Sequence, residues 1–201
     1  MTQTQSQSFP PGRIKIVEAV RTLLENKEFN SITTAEIART AGVTEGLIYK
    51  YFNDKRDLLY QVLKEYFECF HSQIEKDSQS IEGTFDKLRM IIRSNIDTYD
   101  RHRVFARILL LEARNSPDFF KSEAYALVKK YSRTILSVIR QGIRNGEIRE
   151  DIKPSSVRDT VYGAIEHACL PGIIFNREIQ TDVVTENICK IIFKGIKSER
   201  R

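Results

Sequence analysis

Two short runs of helical period with a glycine between them, read along Thr33–Lys55 as TTAEIARTAGVTEGLIYKYFNDK, constrain this chain more than any other feature. Thr33 or Thr34 can cap the first helix, since a hydroxyl there accepts a bond from an N–H group that the first turn leaves unpaired. Glu36 lies three residues after Thr33, as a capping box requires. Ala35, Ile37, Ala38 and Ala41 fall at helical spacing, and the helix is expected to end near Thr40. Gly42 suits the positive φ of a tight interhelical turn, and Val43 is the apolar residue that pins such a turn to the core. Thr44 then caps a second helix that buries Leu47, Ile48 and Phe52.

That second helix leaves Thr44, Glu45, Gly46, Tyr49, Lys50 and Tyr51 facing outward, as a helix laid in the major groove of DNA needs. Gly46 removes a side chain where the helix approaches the duplex, Thr and Tyr hydroxyls reach phosphate oxygens, and Lys50 brings charge to the groove. Lys55 is expected at the start of the next helix, where its ammonium and the unpaired backbone N–H groups meet one phosphate. Taken singly, each residue has a plainer reading: a Thr is a structural cap, a Tyr a half-buried rim residue, a Lys a solvated charge. Their joint spacing argues for DNA. Net charge argues for it weakly, because the chain carries only +5 and residues 1–60 hold eight Lys and Arg against seven Asp and Glu. Attraction to an anion must come from placement, with Glu18, Glu25 and Glu28 turned away from it.

From Ile14 to Leu59, with IVEAVRTLLENKEFNSITTAEIARTAGVTEGLIYKYFNDKRDLL within it, the chain resembles the TetR family of bacterial transcriptional regulators. The resemblance rests on an amphipathic first helix, the helix-turn-helix, then an aromatic-Phe pair, a short polar turn, Lys and Leu-Leu. It implies an all-α homodimer: an N-terminal three-helix DNA-binding head, joined by a long helix to a helical domain that binds a small inducer and dimerises. By the same resemblance DNA contacts carry over to Thr34, Thr44, Gly46, Tyr49, Tyr51 and Lys55. With Thr33, Glu45 and Lys50 from the outward face, these form the expected DNA-binding set. Many relatives have an aromatic residue where Lys50 stands and His where Tyr51 stands, so these two positions bear on which bases are read.

Every long segment beyond the head has a helical period, and no stretch alternates as a sheet would. A first helix is expected over Gly12–Asn26 and a fourth from Lys55 to about Lys76, burying Leu58, Leu59, Val62, Leu63, Tyr66, Phe67 and Phe70. At about 1.5 Å per residue it is long enough to act as a lever from body to head. Further helices are expected over Ile81–Tyr99, Val104–Arg114, Phe119–Gly142, Ser155–Phe175 and Thr181–Lys197. Pro171 either kinks the fourth of these or ends it at Leu170. Residues 1–11, rich in Gln, Ser and Thr, read as a disordered arm. Residues 12–57 form the head, within a TetR-type domain of about 10–70 whose motif spans about 33–52, and residues 58–201 form the effector-binding and dimerisation domain. With no signal peptide and no run of about 18 apolar residues, the chain is expected to be cytoplasmic.

Pocket candidates in the body are aromatic or long apolar residues interspersed with polar ones: Phe67, Tyr99, Phe105, Leu109, Glu112, Phe119, Tyr125, Val128, Tyr131, Tyr162, Glu166 and His167. Glu166 and His167 read as a buried hydrogen-bonded pair. The mixture suits a hydrophobic effector with a polar end, and LLLEARNSPDFF and GAIEHACL resemble fatty-acid-responsive members of the family. The resemblance also implies that the last two helices pair with their mates in a four-helix bundle. Their apolar stripes supply the candidates Val157, Val161, Ala164, Ile165, Ala168, Val184, Ile188, Ile191 and Ile192, although an ordinary intramolecular core would use the same stripes. Cys69, Cys169 and Cys189 are odd in number and unpaired in spacing, and read as buried reduced thiols with neither disulfide nor metal role. No nucleophile elbow, phosphate-binding loop or HExxH occurs, and His71, His102 and His167 are scattered. A non-enzymatic regulator without cofactor is expected, partnered by double-stranded DNA, a second copy of itself and a small effector. A DNA-bound scaffold acting through a protein partner is the rival.

Overall fold

The computed structural model describes residues 9–198, apart from the side chains of residues 71–73, 75 and 79. Most of the expected arm, residues 1–8, lies outside the described residues. The chain divides into a head ending at Leu63 and a body beginning at Lys64. Among the described residues the regular structure is helical, with one isolated antiparallel bridge between Ile148 and Lys197.

In the head, α1 (Pro11–Asn26) starts at a proline, whose missing N–H costs nothing in a first turn. It buries Ile16, Val17, Ala19, Val20 and Leu24. α2 (Thr34–Ala41) is capped by Thr33, whose Oγ1 accepts from the Glu36 N–H at 3.1 Å. Gly42 takes φ 64°, and the Val43 N–H closes on the Ala38 carbonyl at 3.0 Å. α3 (Glu45–Tyr51) follows. Thr44 occupies its N-cap position but makes no side-chain cap: the Leu47 N–H goes to the Thr44 carbonyl at 3.0 Å instead, which leaves the hydroxyl at the surface. α4 runs from Lys55 to Gln79. Leu58, Leu59, Val62 and Leu63 are buried as expected, whereas Tyr66, Phe67 and Phe70 are half-buried.

In the body, α5 (Thr84–Arg101) packs against α7 (Glu123–Arg144), α8 (Pro154–Phe175) and α9 (Thr181–Ile196). Its buried side is Leu88, Ile91, Ile92, Ile96 and Tyr99, met by Ile135 and Ile139 from α7, Val157, Val161 and Ile165 from α8, and Ile188, Ile192 and Ile196 from α9. Ion pairs Arg89–Glu186 and Arg93–Asp182 tie α5 to α9 at the surface, where such pairs contribute about 0–1 kcal/mol each.

Two expected helices are broken up. Instead of one α-helix over Val104–Arg114, α6 (Arg103–Arg107) passes into a π turn, Ile108–Glu112, and a 3₁₀ turn, Ala113–Asn115. Helical period cannot reveal a π turn, because the inserted residue keeps the chain helical while re-aiming side chains. α7 begins at Glu123, not Phe119, because Pro117–Lys121 forms a 3₁₀ turn and Ser122 Oγ then accepts from the Tyr125 N–H at 3.2 Å.

Pro171 neither breaks α8 nor ends it at Leu170; the helix continues to Phe175. It closes with Asn176 at φ 49°. The Gly172 carbonyl gathers the Arg177 N–H at 3.0 Å and Arg103 Nη1 at 2.7 Å. A Cβ at Gly172 would lie 2.5 Å from Ile179 Cγ1.

Cys169 and Cys189 are buried and Cys69 is exposed, which corrects the expectation of three buried thiols. Burial pushes the Cys169 and Cys189 thiols up to about 11. A thiol reagent at pH 8 should therefore modify Cys69 rapidly in the native protein, with the other two reacting only after unfolding; mass spectrometry of the labelled chain checks this. Gly172→Ala should cost about 1–3 kcal/mol in chemical denaturation through overpacking against Ile179. Gly195→Ala, whose methyl meets nothing within 4 Å, should cost nothing measurable.

Candidate functional site

Two sites emerge, one on each unit. On the head, α3 presents Thr44, Glu45, Gly46, Tyr49 and Lys50 to solvent, with Tyr49 56% exposed despite its large aromatic ring. Nothing lies within 4 Å of the Cβ position of Gly46, so backbone can come close to a partner there. Tyr51 is half-buried, its ring edge-on to Phe52 and near Gly12 of α1. Thr33 is exposed, with its hydroxyl engaged as the α2 cap. Thr34 Oγ1 donates to Glu45 Oε2 at 2.8 Å and so ties the start of α2 to the start of α3.

Lys55 begins α4 as expected, but its ammonium is engaged within the head. Its Nζ donates to the carbonyls of Phe29 and Ile32 at 2.9 and 2.7 Å and sits 4.4 Å from the Phe29 ring. These carbonyls flank the 3₁₀ turn Phe29–Ser31 that joins α1 to α2. One first-turn amide of α4 is already engaged by a side chain. Asp54 Oδ1 accepts from the Asp57 N–H at 2.8 Å, and Asp57 Oδ2 accepts from the Asn53 N–H at 2.9 Å and from Asn53 Nδ2 at 3.0 Å. This reciprocal box uses the chain's own carboxylates at the positive end of the helix. Asn53-Asp54-Lys55-Arg56-Asp57 carried the signal, an Asp three residues before an Asp, which was read only as a polar turn.

The second site is a cavity of about 570 Å³ inside the body. Phe67, Tyr99, Phe105, Leu109, Phe119, Tyr125, Val128, Tyr131, Tyr162 and Glu166 all line it, as do Phe70, Ile74, Asn95, Thr98 and Arg114. Lys129, Arg158 and Asp159 also contribute to its wall. Glu112 and His167 do not; His167 is exposed, because adjacent residues on a helix point about 100° apart and Glu166 takes the inward direction. Glu166 is not paired with His167. Both its oxygens accept from Arg114, Nη1 to Oε2 at 2.6 Å and Nη2 to Oε1 at 2.7 Å. Arg114 escaped sequence reasoning because a single Arg at the end of an expected helix looks like surface charge.

Neutral polar groups share this wall. Asn95 Nδ2 donates to Tyr131 Oη at 3.1 Å and to the Ile91 carbonyl at 2.8 Å. Tyr162 Oη is buried without a hydrogen-bond partner among the described residues. Desolvation holds the Tyr99, Tyr131 and Tyr162 phenols far above their ordinary range, so all three stay uncharged at any physiological pH. Size, aromatic lining and a few placed polar groups are those of a small-molecule site.

The outer faces of α8 and α9 differ from the stripes expected to pair. Val157, Val161, Ile165, Ile188 and Ile192 are buried in the chain's own core, Ala164 and Val184 are half-buried, and Ala168 and Ile191 are exposed. Ile174, Phe175 and Val183 join Ile191 as large exposed apolar residues. Both helices carry two apolar faces, and periodicity picked out mainly the inner one.

Residues 16–62 match the bacterial regulatory proteins of the tetR family, and residues 59–195 match the C-terminal region of YsiA-like proteins. The chain is 22% identical over 189 residues to the fatty acid metabolism regulator protein of Bacillus subtilis (strain 168), covering 94% of this chain and 97% of that one. It is 28% identical over 156 residues to the nucleoid occlusion factor SlmA of Marinobacter nauticus, covering 72% and 73%. Its fold matches the crystal structure of the transcriptional regulator FadR from Bacillus subtilis in complex with stearoyl-CoA, with a TM-score of 0.81, 22% identity and coverage of 91% and 98%. Helix-turn-helix head, cavity-bearing helical body and matches running through nearly the whole chain agree: this protein belongs to the TetR family of bacterial transcriptional regulators.

Proposed function

We propose that this regulator is a repressor that binds a palindromic operator as a homodimer and is released when an acyl thioester fills the cavity of the body. The cavity itself carries the reading, since a DNA-binding head needs no aromatic-lined space of about 570 Å³ in its companion domain. Similarity to a fatty acid metabolism regulator and to a structure holding stearoyl-CoA supports an acyl ligand. The protein binds that ligand without converting it and acts in the cytoplasm, where its DNA is. No helix among the described residues is long and apolar enough to cross a membrane.

On DNA, Tyr49 and Lys50 read the groove from the exposed face of α3, with Thr44 and Gly46 at close approach to the backbone. Thr34 and Glu45 support that helix through their mutual bond, and Lys55 holds the 3₁₀ turn beneath it. A single recognition helix spans a few base pairs, so specificity requires two heads about 34–36 Å apart. The exposed apolar set Ile174, Phe175, Val183 and Ile191 supports pairing through α8 and α9. Similarity to a nucleoid occlusion factor favours a second reading, a DNA-bound scaffold with many dispersed sites.

Selection of bound fragments from genomic DNA should yield a palindrome bound about a thousandfold tighter than scrambled DNA, and saturating stearoyl-CoA should weaken that binding at least tenfold. Many dispersed sites unresponsive to any acyl-CoA would favour the scaffold instead. Lys50→Ala should cost about 1–3 kcal/mol of operator affinity and lower the discrimination between operator and scrambled DNA, measured by titration of both at fixed salt. Lys55→Met should leave the slope of log affinity against log salt unchanged and instead destabilise the fold by about 1–3 kcal/mol, because the Ile32 carbonyl loses this donor and the Phe29 carbonyl keeps only the Ile32 N–H.

A further inference from the structure

The cavity wall contains a guanidinium that is already answered. Arg114 and Glu166 meet in a two-point fork at 2.6 and 2.7 Å, with side chains 34% and 24% exposed. Elsewhere on the lining Arg158 Nε donates to Asp159 Oδ1 at 2.8 Å, and Lys129 lies exposed with its ammonium 5.3 Å from the Tyr125 ring. In the interior of the cavity, positive charge is thus matched by a carboxylate of the chain itself, and the other polar groups there, the Tyr131–Asn95 pair and the buried Tyr162 hydroxyl, are neutral.

A ligand carboxylate carried past the exposed Lys129 into the interior has two options, both unfavourable. It can share Arg114 with Glu166, which brings two like charges together, or it can lie among the aromatic rings without a counter-ion. A ligand whose buried part is uncharged meets neither penalty. We propose that Glu166 is a specificity-determining residue: as a built-in counter-ion on Arg114 it reserves the cavity for acyl groups carried as esters or thioesters and turns away free fatty acids. This rests on the reading of the cavity as the effector site.

The test uses full-length protein, calorimetric titration at pH 7.5, and two probes that differ only in charge, dodecanoate and methyl dodecanoate. Wild type should bind the methyl ester at least tenfold tighter than the acid. Glu166→Gln keeps an acceptor for Arg114, and hence the fold, while removing the negative charge; it should raise dodecanoate affinity at least tenfold and leave the ester within about threefold. Glu166→Ser, which opens room for a second carboxylate at Arg114, should shift the ratio the same way. Arg114→Gln combined with Glu166→Gln should abolish the gain, with melting curves confirming that each variant is folded. Equal binding of acid and ester by wild type, or a ratio unmoved by either Glu166 substitution, would overturn the proposal. If neither probe binds while stearoyl-CoA still releases DNA, the proposal falls and the effector reading stands; if stearoyl-CoA also fails, both fall.

Discussion

The body is organised around the burial of α5. Leu88, Ile91, Ile92 and Ile96 are withdrawn from water on a single helix that α7, α8 and α9 surround. Fully burying such a side chain stabilises by about 1.5–3 kcal/mol, whereas the surface ion pairs joining α5 to α9 add little. The cavity exists because this packing is incomplete on one side. Beyond Ile96 the helix presents Thr98 and Tyr99, and the π turn Ile108–Glu112 adds Leu109 to the lining, so large rings frame a space instead of filling it.

The head achieves its geometry with different means. α2 and α3 are too short to be stable alone, and helix ends in the head are held by specific bonds: Thr33 to Glu36, Gly42 in the left-handed region, Thr34 to Glu45, and the Asp54–Asp57 box. Lys55 belongs to this group. A lysine with its ammonium on two backbone carbonyls and over a phenyl ring acts as a cross-link between α4 and the α1–α2 connection.

The parts of this arrangement that local chemistry dictates were legible in the sequence. Thr33, Glu36 and Gly42 announce the helix-turn-helix because capping and positive φ are properties of single residues, and the stripes of α5, α8 and α9 follow from period alone. Bonds between residues distant in sequence were not legible. Nothing local marks Arg114 as the partner of Glu166, 52 positions away, or distinguishes a Lys55 that faces a phosphate from one that bonds to Phe29 and Ile32. Periodicity also stayed silent on which of two apolar faces turns inward, and Val161 and Ile191 went opposite ways for that reason.

The bond between Thr34 and Glu45 has an evolutionary side. Because it and the caps hold α3 in place, the side chains that face outward from that helix, Tyr49 and Lys50, carry little of the head's stability. Substitutions at Tyr49 and Lys50 can accumulate without unfolding the head, so under the proposed function a lineage can change its operator preference there while the sensor stays intact.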